Sequence, residues 1–320
     1  MITGNAVRWA GGGIGASDCN VTIRNCTLSD NTAGSDLGGV GGGIYIGGGT
    51  AMVRNSILWD DDATDGAEIA VQGWGPPSTT SVSYSEVKEG FSAVSVDPCS
   101  TLNWGEGNSD TDPCFVNPGF RHPNDTPLDA NDDFWVDGDY HLKSKAGRWE
   151  WSKYTGLDPI GDDFIDLSDF AVFANSWQTK GGYIPADLDR SGFVDLSDLK
   201  LLLDSYLADY QGGEWIADDV TSPCIDAGDP NSDWTAELWP HGKRINMGAY
   251  GGTSEASMSV SMLGNVADLN HDGNVDFRDF AILAEDWGVQ RMLLAEDLNR
   301  DGAVGSNDVS MFSGHWLEEE

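Results

Sequence analysis

The sequence predicts a mixed fold, in which part of a parallel β-solenoid is combined with two small all-α modules. Two observations carry this prediction. In the first half of the chain a glycine-rich pattern that begins at Gly11 begins again at Gly41. Farther along, an acidic segment followed by a short apolar periodicity occurs in two pairs, which begin at positions 158 and 187 and at positions 268 and 297. A hydrophobic fraction of 39% in 320 residues is sufficient for folded cores in two or three domains.

The glycine-rich repeat predicts two successive solenoid coils. One constant shift places Gly-Gly-Gly-Ile at 11–14 on the same four residues at 41–44, and Asn25 on Asn55. Short alternating stretches in each coil have the period of a strand, and the glycines allow tight corners. Because equivalent residues of successive coils stack about 4.8 Å apart, we expect Asn25 and Asn55 to form an inward column that pairs buried turn amides.

The chain begins in the middle of such a coil. Residues 2–6 (Ile-Thr-Gly-Asn-Ala) repeat the pattern of residues 28–32 (Leu-Ser-Asp-Asn-Thr), which close a coil. We therefore expect further coils to precede residue 1. No stretch of the sequence has the length and apolarity of a signal peptide or of a membrane span.

Four later segments extend the pattern, and with the coils they resemble the right-handed parallel β-helix proteins of environmental bacteria, loosely related to pectate-lyase-like solenoids. The resemblance implies that these segments close the β-helix. In similar proteins His-Leu-Lys-Ser is followed closely by Ser-Pro-Cys-Ile-Asp-Ala-Gly, whereas here the first ends at Ser144 and the second begins at Ser222, which indicates an insertion. The closing segments are 112–116, 139–144, 222–230 and 245–250. The predicted domains are 1–150 (coils and closing segments), 157–210 (insertion), 214–257 (return segment) and 264–320 (C-terminal module).

The clearest acidic segment, 268–279, has the composition of a calcium-binding loop. Calcium prefers six to eight hard oxygen ligands, and positions 1, 3, 5, 9 and 12 of the segment carry Asp or Asn side chains. Gly273 at position 6 permits a sharp turn, after which position 7 offers its carbonyl. An Asp at position 12, followed by a helix that ends at tryptophan, resembles the type I dockerin repeat. The predicted ligands are Asp268, Asn270, Asp272, Asn274, Asp276 and Asp279.

Three further loops follow the same template with different completeness. In the loop at 297 the ninth position is Gly305, so we expect weaker binding there. The loop at 187 keeps every ligand position, whereas the loop at 158 has Ile160 at position 3 and Asp163 in place of the glycine. Their predicted ligands are Asp297, Asn299, Asp301, Ala303 and Asp308; Asp187, Asp189, Ser191, Phe193, Asp195 and Asp198; and Asp158, Asp162, Asp166 and Asp169. The sequence thus predicts about three to four bound calcium ions.

Each loop is followed by a short amphipathic segment. Apolar residues lie 1 and 4 positions after the final aspartate and an aromatic residue lies 8 positions after it, so all three share one helical face. Helices this short are marginal alone. We therefore expect each stripe to pack against that of its twin. The stripes are Phe170, Phe173 and Trp177; Leu199, Leu202 and Tyr206; Phe280, Leu283 and Trp287; and Val309, Phe312 and Trp316.

The net charge of the chain indicates which classes of partner it disfavours. Residues 157–210 and 264–320 carry a net −18 of the formal net charge of −36, so the acidic excess is concentrated around the loops. Like-charge repulsion disfavours nucleic acid and anionic membranes. In the dockerin family such pairs bind a cohesin receptor, which implies an extracellular or surface-displayed protein with a cohesin-like partner. The resemblance of the coils to pectate-lyase-like solenoids implies an associated polysaccharide. Loop positions 10 and 11, which face the receptor in that family, differ between the two pairs, and a calcium-dependent spacer is the structural alternative.

A second hypothesis is enzymatic, because solenoids of this shape often cleave acidic polysaccharides as lyases or glycoside hydrolases. The acidic clusters Asp60–Asp62 and Asp132–Asp133 are the candidate carboxylates, although neither has a recognisable catalytic context. Five cysteines at irregular spacing make a zinc site improbable. Cys99 and Cys114 are candidates for a disulfide, and Cys19 and Cys26 for small buried core residues.

Overall fold

The computed structural model describes residues 1–34, 38–73, 76–123, 133–151, 167–181, 184–204 and 213–319. They are mostly β-structure with four short helices, and the first part of the chain forms a β-solenoid of about three turns. The chain separates into two compact units. Unit 1 contains Met1–Asn117, Asp139–Arg148 and Ile216–Glu320, and unit 2 contains Pro118–Gly138 and Trp149–Trp215.

Most of the described elements are short, except β3 and β6, which have 11 residues each. In chain order the strands are β1 (Ile2–Thr3), β2 (Ala6–Val7), β3 (Ile14–Arg24), β4 (Thr27–Ser29), β5 (Thr32–Ala33), β6 (Ile44–Arg54), β7 (Ile57–Trp59), β8 (Asp62–Ala63), β9 (Ile69–Gln72), β10 (Ser78–Ser83), β11 (Glu86–Val87), β12 (Val94–Val96), β13 (Thr101–Trp104), β14 (Phe115–Asn117), β15 (Phe120–His122), β16 (Phe134–Val136), β17 (Asp139–Leu142), β18 (Arg148–Trp151) and β19 (Gly213–Ile216). The helices are α1 (Leu167–Ser176), α2 (Leu196–Asp204), α3 (Phe277–Glu285) and α4 (Ser306–Gly314), and Gly90–Ala93 form a 3₁₀ turn. None of the described helices has the length and apolar character needed to cross a membrane.

Three parallel sheets stack the coils of unit 1 in the predicted register. Along β3 and β6, Ile14 pairs with Ile44, so the shift of the sequence repeat is the spacing of successive coils. The third turn departs from that spacing, because β6 pairs with β9 through Ile44 and Ile69 but with β10 through Thr50 and Thr79. Isoleucine, leucine and valine side chains from all three turns fill the interior. This burial of apolar surface stabilises the solenoid at about 25 cal/mol per Å².

The glycine repeat is required where neighbouring coils touch. Gly41 has a φ of +66°, a conformation that glycine adopts without steric cost. Gly43 has ordinary backbone angles, but a Cβ at this position would lie 2.4 Å from Asp61 Oδ2 and 2.7 Å from the Glu68 carbonyl oxygen. The close approach of the coils therefore excludes any side chain at Gly43.

We expect Gly43→Ala to destabilise unit 1 by about 1–3 kcal/mol, the range typical of overpacked cores. Gly15→Ala is the matched control, because a Cβ on Gly15 meets its nearest atom, the Ala10 carbonyl oxygen, at 3.7 Å. Urea unfolding of both variants measures the difference. Equal midpoints for the two variants would contradict this account of the glycine repeat.

Asn25 and Asn55 stack as predicted, but they pair mainly with the return segment. Asn55 Nδ2 donates to Asn25 Oδ1 at 3.4 Å, and Asn55 Oδ1 accepts from the Asp229 amide at 2.7 Å. Asn25 Nδ2 donates to the Gly251 carbonyl at 2.7 Å. The column therefore joins the coils to the segment that covers them.

A second column, which the sequence analysis did not identify, runs from the exposed Asn5 into the buried side of the coils. Asn5 Nδ2 donates to Asn31 Oδ1 at 2.9 Å, and Asn31 Nδ2 donates to Asp61 Oδ1 at 2.8 Å. Beyond Asp61 the column ends near Glu68, whose carboxyl is close enough to that of Asp61 for each to shift the pKa of the other. Asp61 and Glu68 are 6% and 1% exposed, and Asp61 Oδ2 and Glu68 Oε2 accept no hydrogen bond among the described residues. Two carboxyl groups can bond to each other only if one of them is protonated.

The four predicted closing segments lie against one another in unit 1. Phe115 pairs with Leu142 across β14 and β17, and the Ser222 amide donates to the Lys143 carbonyl at 2.9 Å. The Met247 amide donates to the Cys224 carbonyl at 2.9 Å. Lys143 and Ser222, which lie on either side of the long intervening sequence, are therefore hydrogen-bonded to each other.

The helical stripes are only partly buried. The residues 4 positions after the loop aspartates lie in apolar cores: Phe173 and Leu202 in unit 2, and Leu283 and Phe312 in unit 1. The residues 8 positions after them are less buried than predicted where these are described, because Trp177, Trp287 and Trp316 are 40%, 56% and 36% exposed. Trp316 nevertheless packs against the twin helix, with its ring centroid 4.8 Å from that of Phe277. Each helix ends before its tryptophan, so the buried face does not extend that far. Tyr206 lies outside the described residues.

The cysteines are free thiols. Cys99 Sγ contacts Asp97 Oδ1 at 2.9 Å and Cys114 Sγ contacts the Asp112 carbonyl at 3.4 Å, so no disulfide joins Cys99 to Cys114. Cys26 packs against the solenoid core as predicted, but Cys19 is exposed. Cys19 lies on β3, whose only described sheet partner is β6, and this position faces solvent.

Candidate metal centres

Three of the four predicted loops are described, and each leads into a helix. The loop 187–198 runs into α2 in unit 2, and the loops 268–279 and 297–308 run into α3 and α4 in unit 1. Of the fourth loop, Asp158, Asp162 and Asp166 lie outside the described residues, whereas Asp169 is fully buried at the start of α1.

The aspartate at position 1 organises the turn of each loop. Asp268 Oδ1 accepts from the Asp272 amide at 3.1 Å, and its Oδ2 accepts from the Gly273 amide at 3.0 Å. The corresponding bonds from positions 5 and 6 recur at Asp187, at 3.0 and 2.8 Å, and at Asp297, at 3.1 and 2.8 Å. Three separate sequences therefore adopt the same turn.

The aspartate at position 12 closes each loop onto its helix. Asp279 Oδ1 accepts from the Asn270 amide at 3.0 Å and Oδ2 from the Asp276 amide at 2.9 Å. Asp198 accepts from the amides of positions 3 and 9 at 3.0 and 2.8 Å, and Asp308 does so at 3.1 and 2.7 Å. The carboxylates at positions 1 and 12 are thereby held facing each other.

The residues at positions 7 and 8 join each loop to the end of another helix. In unit 1, Ala303 forms a β-bridge with Gln290, just after α3, and Asn274 forms one with Glu319, just after α4. In unit 2, Phe193 bridges to Lys180, just after α1. The loops of unit 1 are therefore paired, and the carbonyls of Asn274 and Ala303 are fixed at the loop turns.

Six aspartates at positions 1 and 12 are buried without a basic partner. Asp198, Asp279 and Asp308 are fully buried, and Asp187, Asp268 and Asp297 are 8%, 4% and 6% exposed. Within the described ranges, none of the six forms an ion pair with a lysine or arginine. Buried charges of one sign are costly unless a counter-charge is supplied.

Burial and like-charge repulsion raise the pKa values of the position 1 aspartates. Burial, with the nearby charge of the position 12 aspartate, raises the pKa of Asp187, Asp268 and Asp297 above the ordinary range. A bound cation would lower these pKa values by opposing the like charges. Protons therefore compete with a cation for these sites.

The donor set fits a hard divalent cation. In the loop at 187, one carboxylate oxygen from each of Asp187, Asp189 and Asp198 lies within 4.8 Å of the others. The loops at 268 and 297 place Asn270 and Asn299 at the corresponding third position, where the amide oxygen is also a suitable ligand. The remaining predicted ligands occupy the same turns and supply either side-chain oxygens or carbonyls: Ser191, Phe193 and Asp195; Asp272, Asn274 and Asp276; and Asp301 and Ala303.

The loop at 297 lacks one ligand, and the structure leaves room to restore it. Gly305 at position 9 has extended backbone angles, and a Cβ there would meet nothing within 4 Å. The equivalent residues Asp276 and Asp195 also cap their helices, because their carboxylates accept from the amides of Arg278 and Ser197 at 2.7 and 2.6 Å.

We expect Gly305→Asp to increase the calcium affinity of this loop, because it adds an anionic oxygen at the ninth position. The new helix cap should also stabilise α4 by a few tenths of a kcal/mol relative to glycine, and by about 1 kcal/mol relative to the alanine control. Calorimetry and thermal unfolding measure the two effects, and Gly305→Ala is the control that adds a side chain without an oxygen. An affinity equal to that of the alanine variant would refute the predicted role of position 9.

Comparison with protein-family models, with curated proteins and with solved structures gives no match to the chain. The interpretation of the loops therefore depends on their own geometry.

Proposed function

We propose that this chain is a calcium-binding β-solenoid protein that works outside the cytoplasm, where its loop and helix modules serve assembly or display in association with carbohydrate and without catalysis. The observation that carries the proposal is the shared geometry of the three described loops. All three bury two aspartates whose charges interact, within the same set of backbone hydrogen bonds, and in these described loops neither aspartate forms an ion pair with a lysine or arginine.

Calcium, not a softer metal, suits this geometry. Asp, Asn, Ser and backbone carbonyl groups are oxygen donors, and no cysteine or ligating histidine is among the predicted ligands. The ions would be held by the ligand sets of the loops at 187, 268 and 297. Their contribution would be structural, because a cation between the paired carboxylates stabilises the loop and the helix that follows it.

Exposed apolar side chains support the role in assembly. Leu196 and Phe277, at position 10 of their loops, are 69% and 74% exposed, and Leu167 at the start of α1 is 73% exposed. In dockerins this position faces the receptor, so a cohesin-like receptor is the partner that we propose. The difference between leucine in unit 2 and Phe277 in unit 1 predicts two distinct specificities.

The acidic cluster at 60–62 gives the enzymatic alternative little support. Asp61 lies inside the solenoid, where it accepts a hydrogen bond from Asn31, and Asp60 forms an ion pair with Lys88. A buried carboxyl cannot approach a polymer, since general acid and base groups must come within hydrogen-bond distance of the substrate. Of the other cluster, Asp132 lies outside the described residues.

Isothermal titration with calcium tests the proposal, and we expect about three to four ions per chain. Titration with Mg²⁺ is the control, because Mg²⁺ retains its water and prefers octahedral sites. Absence of heat above the chelator control would overturn the assignment of the loops. A panel of acidic and neutral polysaccharides, followed for unsaturated products and new reducing ends with calcium and with chelator, separates the two functions: cleavage would establish the enzymatic alternative, and intact polymers support a binding or display role.

A further inference from the structure

The residue at position 4 of each described loop contacts another part of the same unit. In unit 1 these residues are His271 and Arg300, and in unit 2 the residue is Arg190, whose Nη1 donates to the Asp137 carbonyl at 2.5 Å. The residue type at position 4 is not the same in all three loops. In each loop, however, its side chain contacts a backbone carbonyl elsewhere in the same unit.

His271 and Arg300 both reach the turns of the return segment. His271 Nε2 lies 3.3 Å from the Thr235 carbonyl, and its ring centroid lies 5.0 Å from that of Trp234. Arg300 donates through Nη2 to the Trp239 carbonyl and through Nη1 to Met258 Sδ, the latter at 2.9 Å. The two loops thus hold the segment between residues 234 and 239 from adjacent points.

The backbone at position 4 has a conformation that is unfavourable for the residues found there. Arg190, His271 and Arg300 have φ values of +56°, +57° and +61°, in the left-handed region that costs a non-glycine residue roughly 1 kcal/mol or more. Glycine or asparagine would adopt this conformation more readily. Each loop nevertheless carries a basic or aromatic side chain at this position, and that side chain contacts another part of the unit.

The position of these side chains depends on the closure of the loop. Position 4 lies between Asp268 and Asp272 in one loop, and between Asp297 and Asp301 in the other, and each pair is joined by an amide to carboxylate bond of 3.1 Å. Without a cation, repulsion among these carboxylates favours an open loop. A ligand that binds only the closed loop also stabilises every contact that the closed loop makes.

We propose that calcium binding fastens the C-terminal module (residues 264–319) to the return segment, with His271 and Arg300 as the docking residues. The inference rests on the calcium binding assigned above and adds a consequence for the architecture of unit 1. In this proposal the module packs against the return segment through position 4 when calcium is bound. Phe277 at position 10 stays exposed and can bind an external partner.

The test uses the full chain and the double variant His271→Asn/Arg300→Asn. Asparagine tolerates the left-handed backbone, so the loops keep their turns but lose the docking contacts. Arg291→Asn is the matched control, because Arg291 is an exposed arginine of the same module. Hydrogen–deuterium exchange with mass spectrometry measures the protection of residues 234–242 and 258–263, and calorimetry measures calcium binding in the same samples.

We expect exchange in these segments to become about ten-fold faster or more in the double variant and in the chelated wild type, as for a contact that opens locally. The number of calcium ions bound by the double variant should equal that of the wild type, and Arg291→Asn should leave exchange unchanged. Wild-type protection in the calcium-loaded double variant, or protection that survives chelation, would overturn the inference even if calcium binds. Failure of the wild type to bind calcium would instead overturn the proposed function, and this inference with it.

Discussion

Asp279→Ala should abolish calcium binding at the loop 268–279 and unfold the helix that this loop precedes. Asp279 is fully buried, and its two carboxylate oxygens accept the amides of Asn270 and Asp276 at 3.0 and 2.9 Å. Alanine removes a predicted ligand and leaves two half-buried amides without acceptors, each at a cost of at most about 1–3 kcal/mol. Loss of a ligand should reduce affinity by more than the roughly 10–100-fold that follows loss of an outer-shell partner.

Calorimetry should show one ion fewer, and circular dichroism should show reduced helix content that added calcium does not restore. Asp286→Ala is the control, since it removes the same charge from the same module at the C-terminal end of α3. The paired arrangement extends the expected effect to the neighbouring loop, because the Val304 amide donates to the Val289 carbonyl, just after α3, at 2.9 Å. A variant that binds the wild-type number of ions would show that this loop is only an acidic turn.

The sequence predicted the coil spacing but not the third turn. The first two coils are related by one constant shift, so their register follows from repetition alone, as the pairing of Ile14 with Ile44 confirms. The third turn departs from that shift, because its two strands β9 and β10 lie at different spacings from β6. Sequence comparison at one fixed shift cannot detect a coil whose two halves have different lengths.

The candidate loop ligands could be listed from spacing, because a calcium loop places its oxygens at fixed positions along one short segment. The contacts made by position 4 could not be predicted. The contact of Arg300 with the Trp239 carbonyl joins residues far apart in sequence, and no periodicity relates them. The exposure of Trp287 also depends on where α3 ends, and helix ends are less certain from sequence than helix positions.

The column of Asn5, Asn31 and Asp61 ends at two buried acidic groups. Asn5 Nδ2 donates to Asn31 Oδ1 and Asn31 Nδ2 donates to Asp61 Oδ1, so the hydrogen bonds run toward Asp61. Among the described residues, Asp61 Oδ2 and Glu68 Oε2 are buried and accept no hydrogen bond. Neighbouring carboxyl groups can bond to each other only when one of them is protonated, because an ionised carboxylate can only accept. We therefore expect a proton to be held at this end of the column.

This requirement makes the stability of unit 1 depend on pH. Burial is the largest cause that raises the pKa of Asp61 to about 7 and that of Glu68 to about 10, and the charge of Asp61 adds to the shift of Glu68. Asp30 raises the pKa of Asp61 further and Asp60 that of Glu68, while Lys88 lies near Glu68 and forms an ion pair with Asp60. In the unfolded chain both carboxyls titrate near pH 4.

The folded state therefore holds protons that the unfolded state has released. Their contribution to stability is complete below about pH 4 and is lost as the pH rises through 7 toward 10, at about 1.4 kcal/mol per pH unit for each proton held. Glu68→Gln replaces the proton-dependent donor with an amide that donates at every pH. We expect this variant to lose the slope of about 1.4 kcal/mol per pH unit, so that its stability relative to the wild type rises by about 2–3 kcal/mol between pH 7 and pH 9.

Urea unfolding at pH 5, 7 and 9 with saturating calcium measures the effect, because constant occupancy of the loops removes their own dependence on pH. Glu89→Gln is the matched control, since it makes the same chemical change at an exposed position of the solenoid. Its stability should follow the wild-type curve at all three pH values. Parallel curves for Glu68→Gln and the wild type would mean that Asp61 and Glu68 do not share a proton, and the column would then have to end in water or a cation, as two ionised carboxylates cannot bond directly.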